Sequence, residues 1–108
     1  RVDDMIITGG ENIFPIEIEN VLSLHPKIEE IVVVGLKNER WGQEVTAFIK
    51  SKNFIEKKEL DKFCKNSKLA NFKRPKSYIF IKKIPKSPTG KILRRKILTG
   101  EYELDKFN

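Results

Sequence analysis

Two strand-like segments joined by a short polar stretch constrain the fold of this chain more than any other feature of its sequence. The first contains the β-branched run IVVV at residues 31–34, which predicts a buried strand. The second, EVTAFIK at residues 44–50, places Val45, Ala47 and Ile49 on one face of a strand. The intervening NERWGQ is typical of a hairpin connection, here with an aromatic side chain in it. Together they predict a strand–turn–strand unit.

Further helix and strand patterns surround this unit. A GG turn between short apolar runs in MIITGGENIF predicts an N-terminal hairpin, and Pro15 then suits the first turn of a helix. EKKELDKFCKN predicts a second helix, SYIFIKKIP a third strand and KILRRKIL a final short helix. This order predicts an α+β fold: a small mixed sheet of about three strands flanked by helices, with an N-terminal two-stranded hairpin. The polar tail at residues 99–108 is predicted to be loosely attached.

A length of 108 residues fits one small domain, and the composition narrows its chemistry. Cys64 is the single cysteine, which excludes an internal disulfide and agrees with a cytoplasmic location. One histidine and one cysteine do not supply the ligands of a structural zinc site, so we predict no metal site. The apolar stretches are too short to span a bilayer. Because the chain begins at Arg1, we expect it to be a fragment of a longer protein.

The formal net charge of +7 predicts attraction to polyanions such as nucleic acid, nucleotides or phosphorylated cofactors. Charge alone does not choose among them, and abundant lysine also serves solubility. Acidic residues interrupt the two longer helices, which argues against a basic stripe for nucleic acid. We therefore predict no nucleic-acid partner.

The segment PKSPTGK, residues 85–91, resembles a phosphate loop at first sight. A Walker A loop requires glycine five residues before Gly90 and a hydroxyl residue after Lys91, but Pro85 and Ile92 occupy those positions. Two other clusters stand apart from the apolar pattern, RVDD with the following GG turn, and FKRPK. Each cluster taken alone also fits an ordinary solvated turn.

The clusters occur in an order that resembles a known family. RVDDMIITGGENIFPIEIE is similar to the hinge motif of the adenylate-forming superfamily, and PKSPTGKILRR to its last core motif, Pro-Lys-x-x-x-Gly-Lys. That superfamily includes acyl-CoA synthetases, luciferases and peptide-synthetase adenylation domains. The resemblance covers residues 1–98 and identifies the chain with the superfamily's C-terminal domain. ERWGQEVTAF and FCKNSKLANFKRPKSY look closest to aryl-CoA ligases of the 4-chlorobenzoate:CoA ligase type.

The resemblance implies a role for each motif. Residues 1–108 would form a mobile domain whose large N-terminal adenylation domain is absent. Lys91 would be the catalytic lysine that contacts the carboxylate and the nucleotide during adenylation. Asp3 would be the hinge, and Gly9 and Gly10 would line the pantetheine tunnel. Arg74 and Lys76 would bind the phosphates of CoA; the aromatic side chains near its adenine end would be Trp41 and Phe72.

The implied reaction joins a carboxylic acid to ATP, giving acyl-AMP and pyrophosphate, and then transfers the acyl group to the CoA thiol. Mg²⁺ would accompany ATP, bound by phosphates and the absent domain. The fragment alone is predicted to be inactive, and aryl, fatty and succinylbenzoate substrates remain open. Three alternatives also remain: transfer to a carrier-protein pantetheine or to oxygen, a non-catalytic interaction domain, and a small basic nucleic-acid-binding module.

Overall fold

A computed structural model of the chain describes residues 4–108. Asp3, the predicted hinge residue, lies outside the described residues. The elements follow one another along the chain as β1 (Ile6–Thr8), β2 (Glu11–Ile13), α1 (Pro15–Leu22), β3 (Ile28–Asn38), β4 (Gly42–Ser51), α2 (Lys57–Lys65), a 3-10 helix (Asn71–Lys73), β5 (Ser77–Phe80) and α3 (Arg94–Leu98). This order confirms the predicted α+β fold.

The sheet is mixed and contains five described strands. Its centre is the long antiparallel pair of β3 and β4, in which Val33 lies opposite Ala47. β5 runs parallel to β4, with Phe48 opposite Ile79, and the β1–β2 hairpin joins β4 through a single residue pair, Thr8 with Gly42. Among the described strands β3 pairs only with β4, so its other edge has no neighbouring strand.

Both faces of the sheet are buried, because successive side chains of a strand point to opposite sides. One face packs against α1 and α2 and carries Val33, Ala47 and Ile49. The other face carries Val32, Val34 and Phe48 and packs against Ile97 of α3. The sequence prediction that Val45, Ala47 and Ile49 share a face is confirmed.

The N-terminal hairpin lies close to the central strands at one glycine. A Cβ atom placed on Gly35 of β3 would lie 2.9 Å from Cγ2 of Ile6 and 3.1 Å from Cδ of Gln43. The Gln43 side chain also accepts a 2.7 Å hydrogen bond from the Ile7 main-chain N–H. Gly35 therefore allows β1, and the segment before it, to approach the sheet closely.

The tail after α3 makes specific contacts with the sheet, although the sequence predicts loose attachment. Leu104 forms a β-bridge with Ile81, and the Tyr102 ring lies edge-on to Phe48 at 5.1 Å. The Asn108 side chain accepts a hydrogen bond from the Phe80 N–H and donates one to its carbonyl oxygen. These contacts attach the tail to the sheet beside the end of β5.

Candidate functional site

Lys91 lies in a tight turn whose main chain is fixed and whose side chain is exposed. The Ser87 N–H donates to the Lys91 carbonyl at 2.8 Å, and the Gly90 N–H donates to the Ser87 carbonyl at 2.9 Å. The Ser87 hydroxyl also accepts from the Lys91 N–H, and Gly90 has a φ of 86°, which favours glycine. The turn therefore presents a cation on a defined backbone rather than on a flexible loop.

The base of this turn is attached to the start of β3. Lys86 forms a β-bridge with Ile92 across the turn, and its ammonium group binds the Glu30 carboxylate. Ile92 packs against the apolar cluster that contains Val32 and Phe48, on the face of the sheet that α3 covers. The Lys91 turn is thus held at the Glu30 end of β3.

The Gly9–Gly10 turn lies at the other end of β3, directly beneath Trp41. The Gly9 N–H donates to the Trp41 carbonyl at 2.9 Å, and a Cβ on Gly9 would lie 3.5 Å from the Trp41 ring. Both glycines have positive φ, 56° and 83°. Nothing described lies within 4 Å of a Cβ built on Gly10. The structure therefore brings together two predicted site features that are 32 residues apart in sequence.

A polar network joins the Trp41 turn to the FKRPK loop. The Asn38 side chain accepts from the main-chain N–H of Trp41 at 2.9 Å and donates to Glu44 at 3.3 Å. The other oxygen of Glu44 accepts from the Ser77 hydroxyl at 2.8 Å. Ser77 follows Lys76, whose own N–H donates to the Val45 carbonyl. Glu44, which sequence reasoning did not select, therefore sets the position of both halves of this surface.

The FKRPK loop presents fewer free cations than its sequence suggests. Lys73 binds both carboxylate oxygens of Glu17 at 3.0 Å, so its charge is locally neutralised. Phe72 and Lys76 remain exposed, and Pro75 is buried. Nε of Arg74 is buried and has no hydrogen-bond partner among the described residues. Arg74 and Lys76, the two residues predicted to bind phosphate, form no ion pair with a carboxylate of residues 4–108.

Cys64 is part of the apolar core and is not placed as a nucleophile. Burial raises the pKa of the Cys64 thiol, and burial also strongly raises the pKa of the neighbouring Tyr78 phenol. The Tyr78 hydroxyl donates to Asp61 at 2.9 Å and lies 3.7 Å from the Cys64 sulfur. A protonated, enclosed thiol is a poor nucleophile.

Two general features of the described residues bear on the kind of site. No three His, Cys, Asp or Glu side chains among residues 4–108 are grouped so as to hold a metal ion. None of the helices described is long and apolar enough to cross a membrane.

Arg94 forms the most enclosed charged cluster described, and the sequence analysis did not select it. Its guanidinium binds both oxygens of Glu19, at 2.8 and 3.1 Å, and donates to the Val33 carbonyl at 2.8 Å. Its Nε lies 3.4 Å from Asp4. Residues 19 and 94 are 75 positions apart, so no local sequence pattern pairs them. We refer to Asp4, Glu19, Val33 and Arg94 as the Arg94 cluster.

The two predicted functional surfaces lie at opposite ends of the longest strand. Glu30 anchors the Lys91 turn, whereas Asn38 anchors Trp41 above the glycine turn. Eight residues of extended strand separate these anchors, about 26 Å at roughly 3.3 Å per residue. A single substrate-sized site cannot contact both surfaces at once. The described residues therefore form two separate surfaces, one at each end of β3.

Comparison with known proteins identifies the family. The sequence model of the AMP-binding enzyme C-terminal domain family matches residues 17–91, and the chain belongs to that family. It is 49% identical over 100 residues to a 4-chlorobenzoate–CoA ligase of Pseudomonas sp. (strain CBS-3), covering 91% of this chain and 19% of that enzyme. The family prediction made from the two motifs is confirmed.

Solved structures of related enzymes contain the same fold. A fatty acyl CoA synthetase of Mycobacterium tuberculosis matches with a TM-score of 0.88 and 40% identity, over 93% of this chain and 20% of that protein. ATP-bound MatB from Rhodopseudomonas palustris matches with a TM-score of 0.87 and 28% identity, over 100% of this chain and 21% of that protein. The chain thus spans about a fifth of the length of the proteins that it matches.

Proposed function

We propose that this chain is the C-terminal domain of an AMP-forming acyl- or aryl-CoA ligase and that it serves two half-reactions with two different surfaces. The Lys91 turn serves adenylation of the carboxylic acid by ATP. The surface of Gly9, Gly10 and Trp41 with the FKRPK loop then serves transfer of the acyl group to CoA. The observation that carries this proposal is the separation of these surfaces along β3, since only a rotation of the domain brings each to one active site. Asp3 is the proposed hinge residue.

Lys91 suits the first half-reaction because of the charge that develops there. As the carboxylate oxygen attacks the α-phosphate and pyrophosphate leaves, negative charge builds on the phosphate oxygens. An ammonium group already aimed at them lowers the barrier without reorganising, by about 3 kcal/mol for a donor of this kind. The hydrogen-bonded turn of Ser87 and Gly90 supports this role, because it fixes the backbone from which the lysine extends.

The second surface suits a nucleotide-bearing thiol. The unsubstituted Gly9–Gly10 turn allows the narrow pantetheine arm to pass close to the backbone, where a side chain would obstruct it. Arg74 and Lys76 are not neutralised by described carboxylates and suit the phosphates of CoA, and the half-exposed rings of Trp41 and Phe72 suit its adenine. This basic surface favours free CoA over a carrier-protein pantetheine, which has no adenine nucleotide.

ATP and CoA are then co-substrates, and Mg²⁺ is expected to accompany ATP. The acidic residues described here do not form a cluster that fits the ion. We therefore assign Mg²⁺ to the ATP phosphates and to the adenylation domain. That domain also holds the acyl pocket, so the identity of the acid is a property of the longer protein.

Two variants of the full-length protein test this assignment. Lys91→Ala should lower carboxylate-dependent ATP–pyrophosphate exchange by about a hundredfold or more, while thioester formation from supplied acyl-adenylate persists. Trp41→Ala should do the reverse: exchange persists, and the KM for CoA in the second half-reaction rises. Lys58→Ala, which removes an exposed lysine of α2, should change neither. Full exchange activity in Lys91→Ala would refute the proposed role of the turn.

A further inference from the structure

We propose that Arg94 is a positioning residue for adenylation, which fixes the orientation of the Lys91 turn relative to the hinge segment through Asp4. This inference rests on the proposed function of Lys91. Arg94 is the first residue of α3 and follows Lys91 by three positions. Asp4 is the first described residue and immediately follows the proposed hinge. The ion pair between them therefore connects the start of the described chain to the segment that carries Lys91.

The Arg94 cluster is built as a rigid junction rather than as a surface ion pair. The Glu19 side chain is 10% exposed and that of Arg94 is 22% exposed. Glu19 accepts two hydrogen bonds from the Arg94 guanidinium and a third from the Val33 N–H, the last at 2.8 Å. A planar guanidinium bound at both ends to a carboxylate has little freedom to reorient. Glu19 and Val33 therefore fix the orientation of the Arg94 guanidinium without any contribution from Asp4.

The junction joins the two sides of the sheet around its open edge. Glu19 extends from α1 on one face, Arg94 extends from α3 on the other, and together they satisfy both main-chain groups of Val33 on β3. A displacement of α3 would have to break these bonds. The segment that contains Lys91 consequently moves with the body of the domain, and its direction from the hinge is set by where Asp4 docks.

Asp4 is the adjustable contact of the cluster. Its side chain is 28% exposed and its carboxylate lies 3.4 Å from Arg94. This contact is longer and more exposed to solvent than the pair with Glu19. Removing its charge leaves the Glu19–Arg94 pair intact, so the fold should persist. What changes is the angle at which the hinge segment leaves the domain. Small errors of this kind lower the rate of a reaction that depends on alignment, although no substrate contact is lost.

The consequence is specific to one half-reaction. Asp4 and Lys91 line one cavity beside Arg94, so a change of angle at Asp4 changes the direction in which the lysine extends during adenylation. During thioester formation the surface at the Asn38 end of β3 faces the active site, and that surface is held by Glu44 rather than by Arg94. The substrates bind largely to the other domain. A loss of positioning should therefore lower kcat for adenylation and leave the KM for ATP and for the acid unchanged.

The test uses the full-length protein with Asp4→Asn, Arg94→Lys and, as the control, Glu103→Gln, which removes an exposed ion pair with Lys82 at 3.6 Å. Asp4→Asn should lower kcat for ATP–pyrophosphate exchange about tenfold with unchanged KM values. Thioester formation from supplied acyl-adenylate and the thermal midpoint should remain at wild-type values. Arg94→Lys, which keeps the charge without the two-pronged geometry, should also lower kcat for exchange, with a lower thermal midpoint because the bonds to Glu19 and Val33 are weakened. Glu103→Gln should change neither quantity.

The outcomes separate this inference from the proposed function. If Lys91→Ala abolishes exchange while Asp4→Asn leaves it unchanged, the function of Lys91 holds and the positioning role of the cluster is overturned. If Asp4→Asn lowers both half-reactions equally, the cluster has only a structural role, and the inference is also overturned. If Lys91→Ala itself retains exchange activity, the proposed function fails first. Selective loss of kcat for exchange in Asp4→Asn and Arg94→Lys supports the inference.

Discussion

Glu19→Ala should destabilise this domain far more than Glu17→Ala, although both acids lie in α1, two residues apart. The side chain of Glu19 is 10% exposed and accepts three hydrogen bonds, two from Arg94 and one from the Val33 N–H. That of Glu17 is 43% exposed and, among residues 4–108, binds the Lys73 ammonium alone. The two substitutions are chemically identical, so their difference measures burial and bonding.

The structure sets the magnitude. Removing one partner of a fully buried ion pair costs about 3–5 kcal/mol, because the other charge is left without compensation. Arg94 retains some exposure and its contact with Asp4, so the lower end applies, about 3 kcal/mol for Glu19→Ala. An exposed pair contributes about 0–1 kcal/mol, which is the loss expected for Glu17→Ala. Alanine raises helix propensity equally at both positions and cancels from the comparison.

Urea unfolding of the 108-residue chain, monitored by circular dichroism, measures both losses. With an unchanged m value, the midpoint shift gives the difference in free energy of unfolding. At roughly 4–8 °C per kcal/mol for a domain of this size, Glu19→Ala should also lower Tm by about 12–24 °C. Equal losses in the two variants would refute the argument that the Arg94 cluster is a structural junction.

A double variant separates charge from main-chain hydrogen bonding. Replacing a buried ion pair by apolar residues of similar volume is often neutral. Here Glu19→Met with Arg94→Leu also removes the partners of the Val33 N–H and carbonyl. We therefore expect the double variant to remain less stable than the wild type by about 2 kcal/mol. A double variant as stable as the wild type would mean that water replaces both bonds at no cost.

Two further predictions concern the core. Gly35→Ala should lower the free energy of unfolding by about 1–3 kcal/mol, because its methyl group would meet Ile6 at 2.9 Å. Faster hydrogen exchange in β1 checks this expectation, and an unchanged urea midpoint would contradict it. The second concerns alkaline pH. The raised pKa values of Cys64 and Tyr78 mean that the folded chain keeps protons that the unfolded chain releases. Stability should therefore be fully present below about pH 8 and decline as pH rises above it, and Tyr78→Phe should decline less steeply in urea titrations at pH 8 and 10.5. Equal declines in the two proteins would contradict the second prediction.

The sequence predicted elements well where burial follows a local period. The IVVV run and the alternation of Val45, Ala47 and Ile49 have one consistent explanation, a two-faced strand pair, and the structure contains it. The family was identified from spacing and not from periodicity. The motif around Lys91 and the motif at the N-terminus each place particular residues at intervals specific to this family, whose sequence model matches residues 17–91.

Contacts between distant segments could not be predicted in this way. An acid in a short helix is normally exposed, but the partner of Glu19 lies 75 residues away on α3. The same limit applies to Lys73, which counts as a free cation in sequence but is bound by Glu17. The position of Trp41 above Gly9 depends on the register of two strands, which no local pattern specifies.

The open edge of β3 has a consequence for association between molecules. An edge strand of eleven residues offers unpaired main-chain groups with which a strand from another chain can form a ladder. The guanidinium and carboxylate at Val33 occupy these groups near the middle of the strand, and they place charged side chains where an incoming backbone would have to lie. A continuous ladder along β3 would have to displace them. The residues that join α1 and α3 to Val33 thus also obstruct the pairing of this strand with a second copy.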